Sequence, residues 1–146
     1  MTQVVVISDR NFRQEIWAGD HTLVADEPRE LGGDDTGATP YELLLAALGA
    51  CTSITLLMYA RRKGWELQAV EIRLRHNRVH AKDCAECEEK DSYLDRIEKE
   101  IAVSGNLSPE QVERLAEIAE KCPVNRTLRA SIVTKQEIRL AAAGSA

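Results

Sequence analysis

The feature that most constrains this chain is an uncharged run from Leu43 to Ala60, LLLAALGACTSITLLMYA. The run reaches the length of about 18 apolar residues at which a membrane helix becomes a candidate. Hydroxyl and thiol groups interrupt it, however, and the rest of the sequence predicts amphipathic elements that need a core to cover. We therefore predict a buried helix of a soluble protein and no membrane span.

Both ends of this helix are marked in the sequence. Thr39 is a good N-cap, Pro40 suits the first helical position, and Glu42 stands where a capping box places its acidic residue. The helix is expected to run to Lys63 and to stop at Gly64. One chain of 146 residues can hardly surround a helix that is apolar on nearly all sides. We therefore expect a homodimer whose second subunit covers it.

Period-two patterns and turn signals predict strands on both sides of the helix. The predicted strands are Val4 to Ile7, Asn11 to Trp17, His21 to Ala25, Leu67 to Arg75 and Ala130 to Leu140. The segment from Tyr93 to Val103 fits a helix or a strand, and as a strand it places Ile97, Ile101 and Val103 on one face.

A second helix repeats the capping pattern, beginning after Ser108 and running to Lys121. Strands before a central helix, followed by strands and a second helix, predict an α+β fold. The length favours a single domain over residues 1–146, of which about 141–146 form a frayed tail.

Composition and charge exclude several classes of function. Nineteen basic residues are scattered among twenty-four acidic ones, for a net charge of -5, so nucleic acid is not an expected partner. No glycine-rich phosphate loop is present, and no cofactor is predicted. The first residues lack the pattern of a secretory signal, so we expect a cytoplasmic protein whose four cysteines are thiols.

Two of these cysteines, Cys51 and Cys122, are candidates for a reactive thiol. Cys51 lies within the apolar helix, where a packed thiol is the simplest interpretation. Cys122 precedes Pro123 and can cap a following turn, a position that lowers a thiol pKa. If the fold brings the two sulfurs together, attack on a peroxide by one thiolate and capture of the sulfenic acid by the other thiol complete a peroxidase cycle.

The order of these motifs resembles the OsmC/Ohr family of osmotically inducible and organic hydroperoxide resistance proteins. The similarity is carried by the Gly32-Gly33 loop, the Thr39-Pro40 helix start with Cys51 inside the helix, and the late Cys122-Pro123. It covers nearly the whole chain in order. The resemblance implies an OsmC-like fold, in which antiparallel sheets pack around the long cysteine-bearing helix of an intertwined homodimer.

The resemblance also implies a thiol peroxidase that reduces organic hydroperoxides in oxidative and osmotic stress defence. Cys51 takes the peroxidatic place and Cys122 the resolving place, with a lipoyl or thioredoxin-type dithiol as reductant. In the family an arginine on an N-terminal strand stabilises the thiolate. Alternation along the second strand places Arg10 on its inward face, so Arg10 is the candidate and Arg13 the fallback.

The sequence departs from the family pattern at the carboxylate that orients this arginine. Tyr41 follows the Thr-Pro pair, where the family usually has Glu, and Glu42 comes one residue later. One residue along a helix is a rotation of about 100°, so Glu42 is either the orienting carboxylate or a capping-box residue only. The alternative function is a non-catalytic module of the same fold that binds a small ligand or a metal.

A second group of residues has a spacing found in zinc sites: His76, His80, Cys84 and Cys87. If the strand that starts at Leu67 continues through His80, the two histidines lie about 13 Å apart, too far for one ion. We therefore predict that the four residues do not bind one metal. A polar loop with exposed thiols is the simplest interpretation, and a metal site or an extra redox pair are the alternatives.

Overall fold

The computed structural model describes residues 1–80 and 93–141, except for the side chain of His80. The chain divides into two compact units, Met1–Leu44 with Ile132–Ala146, and Leu45–Ser131. We call them the first unit and the cysteine unit and describe each by itself. In chain order the elements are β1 (Val5–Ser8), β2 (Gln14–Ala18), β3 (His21–Ala25), a 3-10 turn (Arg29–Leu31), α1 (Pro40–Lys63), β4 (Glu66–His80), β5 (Tyr93–Asn106), α2 (Pro109–Ala119) and α3 (Pro123–Arg129).

The first unit contains an antiparallel sheet in the order β1-β2-β3. Gly19 adopts a φ of 63° in the tight turn between β2 and β3, and β3 has the predicted bounds. The predicted start of the second strand is wrong, because β2 begins at Gln14. Asn11 has a φ of 48° and its side chain donates to the Gly32 carbonyl at 2.8 Å, so residues before Gln14 form a turn.

A buried carboxylate organises the loop between β3 and α1. Asp26 is 2% exposed and accepts hydrogen bonds from the Thr36 hydroxyl at 2.6 Å, the Thr36 N–H at 3.1 Å and the Glu27 N–H at 2.8 Å. The chain passes so close to itself here that a Cβ atom on Gly33 would lie 1.9 Å from the Glu27 carbonyl oxygen. Glycine is therefore required at this position for space.

Replacing Asp26 should weaken the first unit. The Thr36 hydroxyl, with backbone N–H groups, outweighs burial and lowers the pKa of Asp26 below its ordinary 3.8. The carboxylate therefore stabilises the fold fully above that pH, and the contribution is lost as the pH falls through the folded pKa. We expect Asp26→Asn to lower the melting temperature at pH 7 by roughly 5 °C and to flatten its decline in acid.

Thermal unfolding between pH 2 and pH 7 checks this prediction. Asp20→Asn removes the same charge from the exposed turn between β2 and β3 and should leave the melting curve unchanged. Equal melting temperatures for the two variants would contradict a stabilising role for the Asp26 carboxylate.

The ends of α1 lie where the sequence predicts them. The Glu42 N–H donates to Thr39 Oγ1 at 3.2 Å, and Glu42 Oε1 accepts from the Thr39 N–H at 3.0 Å, which completes the capping box. At the other end Gly64 has a φ of 71° and the Trp65 N–H donates to the Ala60 carbonyl at 2.8 Å. These two local motifs define the helix.

One chain covers only part of α1. The helix is long and apolar enough to cross a membrane, with a mean hydropathy of 1.9 over its most apolar stretch, but the core helix of a soluble protein meets the same criterion. Leu48, Thr52 and Leu56 form a buried stripe, whereas Ile54 and Met58 are 55% and 65% exposed. The apolar surface of α1 therefore extends well beyond what this chain buries.

In the cysteine unit, β4 and β5 form a two-stranded antiparallel sheet. The ambiguous segment after Tyr93 is a strand. The predicted strand end at Arg75 is wrong, since β4 continues to His80 and each added residue has a register partner in β5. Along β5 partly buried and exposed residues alternate from Ile97 to Val103, so one face of the sheet packs inward.

The inward face of this sheet and α2 build the core of the cysteine unit. α2 begins with the predicted capping box, in which the Gln111 N–H donates to Ser108 Oγ at 3.1 Å and Gln111 Oε1 accepts from the Ser108 N–H at 2.9 Å. Its apolar stripe meets the buried stripe of α1. The buried core residues are Leu56, Tyr59, Leu115, Ile118 and Ala119.

The predicted last strand, Ala130 to Leu140, is wrong for this chain. Within residues 131–141 the structure has no strand, and Val133, Ile138 and Leu140 are 85%, 89% and 99% exposed. The β-branched pattern is present, but no described strand of the chain pairs with it. The predicted frayed tail, 141–146, lies outside the described residues apart from Ala141.

Candidate functional site

The cysteine unit brings Cys51 and Cys122 together at one turn. The Val124 N–H approaches Cys51 Sγ at 3.5 Å, and the Asn125 N–H donates to Cys122 Sγ at 3.3 Å. Both cysteines are free thiols, and the Cys51 thiol is one of the groups that act on Cys122. Two sulfurs that are distant in sequence therefore meet at the start of α3.

Local sequence holds this turn in place. Cys122 is the N-cap residue of α3, as its position before Pro123 predicts, and α2 ends just before it. The Asn125 side chain donates to the Glu120 carbonyl at 2.8 Å, and Arg129 pairs with the Glu120 carboxylate at 3.2 Å. These contacts fix the connection between α2 and α3, and so the position of the Cys122 sulfur.

Thr52 connects the turn to the middle of α1. It is 0% exposed, its hydroxyl donates to the Leu48 carbonyl at 2.9 Å, and its Oγ1 lies 3.3 Å from Cys122 Sγ. Because the hydroxyl has one proton, a Cys122 thiol donates to Thr52 while that proton is directed at Leu48. When Cys122 ionises, the Thr52 hydroxyl can rotate to donate to the thiolate instead.

The surroundings of Cys122 favour the thiolate. Burial raises its pKa, since the residue is 0% exposed, but three hydrogen bonds and a nearby cation outweigh burial and lower the pKa below the ordinary 9.0. The donors are the Thr52 hydroxyl, the Asn125 N–H and the Cys51 thiol, and the cation is Lys99. The Cys122 thiol therefore ionises more readily than an isolated thiol does.

The two sulfurs differ in their access to solvent. Cys51 is partly exposed, whereas Cys122 is fully buried. A small molecule reaching this site from outside therefore meets Cys51 before Cys122.

Two residues of this site, Thr52 and Lys99, were missed by the sequence reasoning. Lys99 lies between Ile97 and Ile101, which the strand alternative places on one face, so alternation alone could have identified it as an inward cation. Thr52 follows Cys51 directly, but no local pattern indicates that its hydroxyl faces a second cysteine.

The structure corrects the predicted placement of Arg10. It lies exposed in the turn between β1 and β2, and not on an inward strand face, because β2 starts only at Gln14. The guanidinium of the fallback residue, Arg13, forms an ion pair with Asp9. Whether either arginine serves the thiolate stays a prediction.

The other predicted residues have the following places. The Glu42 carboxylate accepts the Thr39 N–H in the capping box, and this hydrogen bond lowers the pKa of Glu42. The role of Glu42 as an orienting carboxylate stays a prediction.

His76 and His80 are four residues apart in the extended β4, so their Cα atoms lie about 13 Å apart. His76 Nε2 lies 2.8 Å from Asp95 Oδ1. Cys84 and Cys87 lie outside the described residues.

Comparison with known proteins agrees with this architecture. The sequence model described as OsmC-like protein matches residues 32–137. The chain belongs to the OsmC-like family. The match includes the Gly-Gly loop, the cysteine helix and the turn at Cys122. None of the curated proteins matches the sequence closely enough to count as a relative.

Crystal structures of family members share the fold of this OsmC-like protein. The OsmC-like protein of Mycoplasma pneumoniae superimposes with a TM-score of 0.70 at 15% identity, covering 88% of this chain and 87% of the other. The organic hydroperoxide resistance protein OsmC of Legionella pneumophila gives 0.63 at 22% identity, covering 88% and 89%. An organic hydroperoxide resistance protein of Elizabethkingia anophelis gives a TM-score of 0.64 at 18% identity, covering 88% of each chain.

Proposed function

We propose that this OsmC-like protein is a cysteine-based peroxidase that reduces organic hydroperoxides in a reducing cytoplasm. The observation that carries the proposal is the meeting of Cys51 and Cys122 at one turn whose hydrogen bonds favour a thiolate. Two structural neighbours named organic hydroperoxide resistance proteins support the class of substrate. Together they favour redox chemistry over a packing role for Cys51.

The reaction needs two attacks by sulfur. The Cys51 thiolate attacks the outer oxygen of the hydroperoxide, the O–O bond breaks, and an alkoxide leaves to be protonated to the alcohol while Cys51 becomes a sulfenic acid. The Cys122 thiolate then attacks Cys51 Sγ, the S–O bond breaks, and hydroxide leaves as water after protonation. An external dithiol of lipoyl or thioredoxin type reduces the resulting disulfide and becomes a disulfide itself.

The assignment of the two roles follows from exposure and from acidity. Cys51 is the partly exposed sulfur, so an external peroxide can reach it. Cys122 is buried and has the lowered pKa, which suits a thiolate that needs to meet only its neighbour. A Cys122 thiolate can also accept the proton of the neighbouring Cys51 thiol before the first attack.

An apolar pocket in the same unit is consistent with an organic substrate. Its volume is about 90 Å³, and its lining is almost entirely apolar. The pocket is lined by Leu56, Ile101, Val103, Val112, Leu115 and Ala116. One of these residues, Leu56, is one helical turn from Thr52 on α1. An alkyl group gains free energy by entering such a pocket, whereas hydrogen peroxide does not.

The proposal is tested by treating reduced protein with one equivalent of an alkyl hydroperoxide and mapping disulfides by mass spectrometry. We expect a Cys51–Cys122 disulfide and one equivalent of alcohol. The Cys84→Ser/Cys87→Ser double variant is the matched control, since it retains only the proposed pair and should react equally. Unconsumed peroxide and two intact thiols would instead assign the fold a non-catalytic binding role.

A further inference from the structure

The cation that acts on the cysteine pair is a lysine on β5, Lys99. From Ile97 to Val103 the partly buried positions of β5 alternate and face inward, and within that stretch of the face Lys99 is the charged residue. The others are Ile97, Ile101 and Val103. Lys99 thus interrupts an otherwise apolar surface that packs on the core.

The register of the sheet places Lys99 beside the cysteine segment of α1. Lys99 is the register partner of Leu74 in β4, and side chains of such partners lie about 5 Å apart on the same face. Leu74 in turn packs on Gly49, where an added Cβ would come within 2.8 Å of Leu74 Cδ1. Gly49 is two and three residues from Cys51 and Thr52, so the Lys99 side chain starts next to the site.

The ammonium group of Lys99 is buried without a partner. Among the residues that the structure describes, its Nζ is inaccessible to solvent and has no hydrogen bond. A buried charge without a counter-ion is strongly unfavourable, because it loses its hydration and gains no attraction in return. A negative charge that forms nearby would therefore stabilise the Lys99 ammonium in this location.

We propose that the Lys99 ammonium is the counter-ion of the thiolate that forms in the Cys51–Cys122 pair. The benefit of this counter-ion to catalysis rests on the proposed peroxidase function. The attraction between the Lys99 ammonium and a thiolate does not depend on that function. The Lys99 charge is one of the influences that lower the pKa of Cys122, and in return the thiolate supplies the charge that a buried ammonium requires. Lys99 is thus a positioning residue for the reactive charge, distinct from Arg10.

Other groups near the pair cannot replace this cation. α1 contributes the Thr52 hydroxyl, and α3 the Asn125 N–H, which are neutral donors. The buried residues of α2 are apolar. On the inward face of β4 the titratable residue is His76, which is hydrogen-bonded to Asp95. Among the groups that the described elements of the cysteine unit contribute here, Lys99 is therefore the cation that acts on the pair.

A counter-ion for the thiolate also affects the disulfide. When Cys51 and Cys122 join, the negative charge disappears and Lys99 loses its partner. Lys99 therefore stabilises the reduced pair relative to the disulfide and makes the disulfide easier for the external dithiol to reduce. Removing the charge should shift the thiol–disulfide equilibrium toward the disulfide.

The test is the pH dependence of alkylation by iodoacetamide, followed by mass spectrometry in the Cys84→Ser/Cys87→Ser background, with no peroxide present. For Lys99→Met we expect the midpoint for the first thiol to rise by about one pH unit, so alkylation at neutral pH slows about tenfold. Lys99→Arg should retain the original midpoint, because it retains the charge. Arg96→Met removes a positive charge from the exposed face of β5, where Arg96 pairs with Glu98 at 3.1 Å, and should change nothing.

A second measurement uses the equilibrium with a dithiothreitol redox buffer. Lys99→Met should favour the Cys51–Cys122 disulfide by about tenfold relative to wild type, while Lys99→Arg and Arg96→Met should match wild type. Replacing an unpaired buried charge by an apolar side chain of similar length should not unfold the protein.

An unchanged alkylation midpoint in Lys99→Met, or a midpoint that rises equally in Arg96→Met, would overturn the inference. It would do so even if the wild-type protein consumed hydroperoxide. Conversely, a raised midpoint in Lys99→Met supports the inference even if the wild-type protein proves inactive toward peroxides, so the two failures are distinguishable.

Discussion

Cys51→Ser is expected to abolish hydroperoxide consumption, whereas Cys122→Ser is expected to retain a single turnover. A serine hydroxyl at position 51 is not ionised at neutral pH and cannot attack the O–O bond, so the rate should fall roughly 10³-fold or more. Without Cys122, the Cys51 sulfenic acid has no neighbouring thiol to capture it. It should then persist or oxidise further to sulfinic and sulfonic acids.

Stopped-flow measurement of peroxide loss separates the two variants. Cys122→Ser should consume about one to three equivalents of an alkyl hydroperoxide, one for each oxygen atom gained at Cys51, and then stop. Cys87→Ser removes a thiol outside the proposed pair and should turn over as wild type does. Undiminished peroxide consumption by Cys51→Ser would contradict the assignment of the nucleophile, and full turnover by Cys122→Ser would contradict that of the resolving thiol.

The parts of the fold that local chemistry determines could be predicted from the sequence. Thr39 and Glu42 define one end of α1, and Gly64 defines the other, because capping residues act on backbone groups within one turn. The capping box at Ser108 locates α2 in the same way. Membership of the OsmC-like family also followed from the order of these motifs.

Elements that depend on a partner strand were harder to predict. The segment from Tyr93 has the composition of a helix or a strand, and its pairing with β4 decides for a strand. The apolar segment after Ala130 has a strand pattern but no described strand beside it. Its strand-like pattern indicates a segment that needs a neighbouring strand, and the described strands of the chain do not pair with it.

In the site, too, features set by neighbouring residues could be predicted from the sequence, whereas contacts between distant segments could not. The capping role of Cys122 follows from Pro123, but its contact with Thr52 depends on packing between α1 and α3. Lys99 could have been found from strand alternation once the segment was assigned as a strand. Arg10 was misplaced because Asn11 adopts a positive φ, which propensities for a strand do not anticipate.

Exposed apolar side chains on α1 indicate that this chain assembles with a second copy of itself. Ile54, Leu57 and Met58 project from one side of α1 and are 55%, 36% and 65% exposed. Ile132 and Val133, after α3, are 60% and 85% exposed. A group of exposed apolar side chains on one side of a helix is unusual on a monomer and typical of an obligate interface. We propose that a second copy of the chain covers α1.

Sedimentation of the wild-type protein should therefore show a homodimer at micromolar concentration. In the variant Ile54→Glu/Met58→Glu, each carboxylate would have to be buried without a partner, at a cost of several kcal/mol. With four such groups per dimer the dissociation constant should rise roughly 10³-fold or more, so the variant should sediment as a monomer. Gln68→Glu adds a carboxylate at an exposed position of β4 and should leave the dimer intact. A wild-type protein that sediments as a stable monomer would contradict the prediction and leave the exposed side of α1 without the cover that its composition requires.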